Sequence, residues 1–199
     1  ALQTFQGPGF SFSYPVDASV KSERENTWQL AGPVVAVRSL TGSGTWSLPG
    51  YQVDITLYDN PKGSGSSAWS REHLVSAWQE AKRKNEPFTG PVDSAGKIIE
   101  NKVAEVRVGD KAAFQADFSA GDRTRRAVYL SLKTRTVAFF FDLLPSVTYP
   151  LAEVASDIYG LLLSQVSATA AEGAARTVPA AQGVREFTAP GFVISLPAN

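Results

Sequence analysis

Apolar and polar residues alternate without a break from Tyr51 to Tyr58. Tyr51, Val53, Ile55 and Leu57 fall on one side, and Gln52, Asp54, Thr56 and Tyr58 on the other. That is the pattern of a strand with one buried face. The cluster Asp59-Asn60-Pro61-Lys62-Gly63 ends it as a turn. Shorter runs predict strands at 10–14, at Trp28–Leu30 and at Val34–Val37, the last two separated by Gly32-Pro33. A longer β region follows. Val103, Val106 and Val108 lead to Gly109-Asp110; Phe114, Ala116 and Phe118 lead to Gly121-Asp122. Val128, Leu130 and Leu132, then Val137, Phe139, Phe141 and Leu143, complete an antiparallel meander.

The period changes to helical in two places. Over 70–85, Leu74, Val75, Trp78 and Ala81 form a stripe, with Ser70 as cap and Lys82, Arg83 and Lys84 in the last turn, where cations meet the negative end of the dipole. From Pro150, the residues Leu151, Val154, Ile158, Leu161, Leu162 and Val166 form a broader stripe. This helix is expected to lie flat on the sheet, against Phe139, Phe141, Val128 or Leu130.

One motif occurs twice. Phe5-Gln6-Gly7-Pro8-Gly9-Phe10-Ser11-Phe12-Ser13-Tyr14-Pro15 recurs as Phe187-Thr188-Ala189-Pro190-Gly191-Phe192-Val193-Ile194-Ser195-Leu196-Pro197. Phe, Pro, Gly, Phe, Ser and Pro keep their offsets. The pattern divides the chain into an α+β domain at 1–166, an Ala/Thr/Gly/Pro linker at 167–185 and the repeated motif at 186–199. Phe187, Phe192, Ile194 and Leu196 are too apolar to lie free in water, so 191–196 is expected to be a docked strand. It is either the start of a second unit or a strand exchanged between subunits, which would make a homo-oligomer.

Composition narrows the function classes. The 199 residues hold equal numbers of basic and acidic side chains, 19 of each. That balance lacks the electrostatic footprint of a nucleic-acid binder. No apolar run is long enough for a membrane helix, so no membrane insertion is expected. Cysteine is absent, which removes disulfides and thiolate chemistry. The first residue is Ala1 rather than Met, and an exported, extracytoplasmic domain (periplasmic, cell-surface or lumenal) is the favoured reading.

No catalytic kit stands out. His73 is the single histidine, with no Gly-x-Ser-x-Gly elbow to support a triad; it is the one weak candidate metal ligand. The run Gly90–Ile98 is one residue too long for a phosphate loop. Asp17, Asp54, Asp59, Asp93 and Asp122 are scattered over strands and turns, and two of them in one cleft would permit a carboxylate-dependent hydrolase. Arg123, Arg125 and Arg126 cluster at a hairpin start, a position that commonly serves solubility. No cofactor is called for. The aromatics point to contact instead: Trp46 lies in a Gly/Ser-rich loop at 41–50 beside Tyr51, and Trp69 precedes the first helix.

Gly9-Phe10-Ser11-Phe12-Ser13-Tyr14-Pro15, the Trp28 strand, Gly109-Asp110-Lys111-Ala112-Ala113 and the helix ending near Val166 together resemble the PsbP-like superfamily. Its members include the extrinsic photosystem II protein and small bacterial envelope proteins. The resemblance spans roughly residues 5–166 and implies an antiparallel sheet flanked by two main helices, an α-β-α arrangement, with the repeated strand as a C-terminal extension. It also implies binding of a protein partner rather than catalysis. Photosynthetic members can hold metal through histidine and carboxylates, a role that here only His73 is available to share.

Overall fold

The computed structural model describes residues 1–38, 45–121, 123–143, 149–168, 176–178, 184–189 and 192–197. It opens with a hairpin of β1 (Leu2–Gly7) and β2 (Phe10–Pro15). Gly9 between them has φ +81°, a region that a Cβ makes costly. Next come β3 (Ser19–Arg24), β4 (Thr27–Ala31), β5 (Val34–Arg38), β6 (Thr45–Pro49), β7 (Gln52–Asp59) and α1 (Ser66–Lys84). The expected meander is β8 (Val103–Val108), β9 (Lys111–Ala120), β10 (Arg123–Leu132) and β11 (Arg135–Leu143). It is followed by α2 (Tyr149–Ser164), β12 (Ser167–Ala168), β13 (Arg176–Val178), β14 (Val184–Ala189) and β15 (Phe192–Pro197).

Seven strands form one antiparallel sheet in the order β3-β4-β7-β11-β10-β9-β8. Because side chains alternate across a strand, each face has its own core. On one face, Trp28, Leu30, Val53, Ile55, Val128, Leu130, Val137 and Phe139 pack with Phe5, Phe10, Phe12 and Tyr14 of the hairpin and Ile158 and Leu162 of α2. Phe12 meets Phe139 edge-on at 5.8 Å, a geometry worth about 0.5–1.5 kcal/mol beyond burial. On the other face, Leu74 of α1 packs with Phe114, Ala116, Ala127, Tyr129 and Ala138. The small residues there let the helix approach. Ser66, buried at the start of α1, donates to the Ala112 carbonyl at 2.8 Å and accepts from the Ser131 amide at 2.9 Å, pinning the helix to β9 and β10.

The sheet is not flanked by two main helices, and the expected α-β-α layout is corrected. The molecule is mostly strand, with two α-helices among the described residues. The cause lies in Leu2–Gly7, which lacks clean alternation but pairs with β2. The resulting hairpin lays four aromatic rings on the face expected for α2, so that face is covered by strands and a helix together.

Smaller differences have equally local causes. The first helix starts a turn early, at Ser66, capped by the Gly65 backbone. Ser70, expected to cap it, is instead buried within the helix. Residues 167–185, expected to be a linker, include β12 paired to β2 and β13 paired to β1, so they clasp both edges of the opening hairpin. Ile158 and Leu162 are buried as expected, and Leu161 is half-buried; the side chains of Leu151 and Val154 lie outside the described residues. No helix among the described residues is long and apolar enough to cross a membrane.

Candidate functional site

β5 and β6 leave the sheet. They continue the β4–β7 pair outward through Gly32 N–H to Tyr51 O and Gly50 N–H to Pro33 O, both 2.9 Å, then, among the described residues, pair only with each other as a two-stranded ribbon. The register sets Val34 against Pro49 and Ala36 against Ser47, Val35 against Leu48 and Val37 against Trp46. The first four are exposed, Val34 by 71%. The second four are all apolar and occupy the alternating positions. Beyond the register, the side chains of Val35, Val37, Trp46 and Leu48 and residues 39–44 lie outside the described residues.

Tyr51 sits at the root of this ribbon. It is buried, 7% exposed, and belongs to the sheet core rather than to a contact surface. Its ring covers Gly32 so closely that a Cβ there would lie 2.5 Å from it. Its hydroxyl has no hydrogen-bond partner among the described residues, and burial, with Asp17 nearby, pushes its pKa well up. Tyr51 therefore anchors the ribbon.

Trp69 is elsewhere, on α1. It stacks on His73 at 4.6 Å and 12°, packs against Tyr58 at 5.4 Å, and donates its indole N–H to the Asp59 carbonyl at 3.2 Å. His73 is held between Trp69 and Tyr58, and burial lowers its pKa. Asp59 and Glu72 line the same shallow hollow, but no group of three His, Asp or Glu side chains among the described residues could hold a metal ion. These residues form an aromatic ladder joining α1 to the sheet.

Helix α1 packs on β9 and β10, and its Trp69 and His73 reach Tyr58 of β7; the same face of the sheet is open beyond them, toward β4 and β3. A hollow of about 530 Å³ lies there, lined by Glu23, Arg24, Gln29, Asp54, Tyr58, Arg125 and Phe140 among others. Arg125 pairs with Asp54, lies 5.1 Å over the Phe140 ring and is 3.9 Å from Asp142. Gln29 also donates to Asp54 at 3.1 Å. Two carboxylates, Glu23 and Asp54, thus share one hollow, but that of Asp54 is engaged by Arg125 and Gln29. Sequence reasoning named Asp54 and Arg125 separately and missed their meeting; the signal is the pairing of Asp54 with Phe140 and of Arg125 with Asp142 across neighbouring strands. Arg126 faces the opposite side and forms a two-pronged pair with Asp117 at 2.8 and 3.0 Å. In the Gly90–Ile98 loop, the Asp93 carboxylate accepts the amides of Ala95 and Lys97, both at 2.9 Å, so the loop closes on itself. Asp122 lies outside the described residues.

No family model matches the chain, and no curated protein matches it. Among solved structures, it is similar to a crystal structure from Bacteroides thetaiotaomicron VPI-5482, with 13% identity and a TM-score of 0.49. That similarity covers 84% of this chain and 48% of the other, so the chain spans about half the length of that structure.

Proposed function

We propose that this chain is a non-enzymatic binding domain that holds a protein partner along the β5–β6 ribbon, in an extracytoplasmic compartment. One observation carries the reading. Among the described residues the ribbon projects from the sheet without a third strand, and its register gives Val35, Val37, Trp46 and Leu48 the alternating positions. A two-stranded ribbon is marginal in water on its own, and a row of apolar residues on it gains from being covered. Aromatic anchors such as Trp46 dominate protein contacts of this kind. The absence of cysteine suits an exported chain, and the resemblance to the PsbP-like superfamily favours partner binding over catalysis. A hydrolase needs a carboxylate free to move a proton, and Asp54 is already engaged by Arg125 and Gln29.

The test is affinity capture of the partner from the source organism with the parent and with Trp46→Ala. The variant should lose capture by about tenfold or more, as hot-spot truncations do, with Tm nearly unchanged. A large fall in Tm would make Trp46 a core residue, and unchanged capture would move the contact off the ribbon.

A further inference from the structure

The two copies of the repeated motif are both hairpins, and they share their register pair for pair. In the first, Leu2 faces Pro15, Phe5 faces Phe12 and Gly7 faces Phe10. In the second, Val184 faces Pro197, Phe187 faces Ile194 and Ala189 faces Phe192. All six pairs recur at one offset, and Pro8-Gly9 between the first two strands matches Pro190-Gly191 in sequence. A one-residue slip would exchange the faces of a strand, so the agreement concerns which residues share a face. The buried positions of the first hairpin hold Leu2, Phe5, Phe10, Phe12 and Tyr14. The matching positions hold Val184, Phe187, Phe192, Ile194 and Leu196, all apolar. The half-exposed Gln3, Thr4 and Gln6 are matched by Arg185, Glu186 and Thr188, all polar.

The first hairpin shows what such a face is for. It is covered by one side of the seven-stranded sheet, around Trp28 and Phe139. That seat holds β1–β2 already, and β14–β15 forms a two-stranded sheet of its own among the described residues. We infer that β14–β15 is a second opening hairpin, whose apolar positions are made to be covered by the sheet of a second copy of this fold. The inference does not depend on the ribbon. It names the partner of residues 184–197 as a seven-stranded sheet with the same aromatic seat.

The test grafts the second hairpin onto the first seat. In the full chain, residues 2–15 are replaced by the sequence of 184–197. A companion graft keeps Gly7, because a Cβ there would lie 2.3 Å from the Phe10 ring. A third carries the same segment slipped by one residue. At least one in-register graft should melt in a single cooperative transition with the parent's near-UV circular dichroism. Its Tm should fall by about 5–15 °C, the consequence of the Phe12→Ile and Tyr14→Leu changes in a packed core. The slipped graft should have no transition. Loss of cooperative melting in both in-register grafts would overturn the inference, and so would a slipped graft that folds equally well.

Discussion

Tyr51 and His73 show how burial sets the behaviour of single residues here. The Tyr51 hydroxyl is buried without a partner among the described residues, so Tyr51→Phe removes a polar group that gains no hydrogen bond from them. Its stability should rise or change by less than about 0.5 kcal/mol; a larger loss in denaturant melts would reveal a partner. Gly32→Ala should cost about 1–3 kcal/mol, because the new Cβ meets the Tyr51 ring. For His73, burial depresses the folded-state pKa below the ordinary value of 6.5. The unfolded chain therefore takes up the proton first as the pH falls, and stability declines below about pH 6.5. His73→Phe keeps the stack on Trp69 and removes the titration. Its stability difference from the parent should grow in its favour between pH 7 and pH 5 in paired denaturant melts.

At the scale of elements, the decisive question is which face each one presents. Ile158 is buried in the core that α2 shares with the hairpin, and Leu161 is half-buried. Ile158→Ala should cost about 2–4 kcal/mol and Leu161→Ala clearly less; equal costs in urea melts would mean that the helix is rotated. The meander and both helices were legible, because their apolar periods are long and their turns carry Gly-Asp pairs. β1 was not, because Thr4 and Gln6 interrupt its pattern and its partner is supplied by the next strand. β3 was hidden for a different reason: it is an edge strand with an almost wholly exposed sequence, Ser19–Arg24. The start of α1 was misplaced because Ser66 and Ser70 face the sheet as small buried hydroxyls, which a search for apolar spacing cannot register.

The described residues build a seven-stranded sheet with a helix on one face and a hairpin plus helix on the other, and two further strand pairs, β5–β6 and β14–β15. The neighbours β7 and β11 lie far apart in sequence, so no local pattern announces them; the hollow around Arg125 and Asp54 was illegible for that reason. The tail was legible as a repeat, yet its first strand was not, since Phe187 precedes the Pro-Gly pair just as Phe5 does. Among the described residues, β14 and β15 add no strand to the seven-stranded sheet and pair with each other. Deleting residues 184–199 should therefore shift Tm by no more than about 2–4 °C, the equivalent of roughly 1 kcal/mol for a chain this size.

The claim that the ribbon is the contact arm is tested most directly by site-specific photo-crosslinking in the source organism. A benzophenone side chain replaces Ala36, an exposed position of β5, and in a control replaces Glu80, an exposed position of α1. Position 36 should yield one discrete heavier adduct that excess unlabelled domain suppresses and a domain shortened across residues 34–49 does not. No adduct at 36, or the same adduct from position 80, would contradict the account.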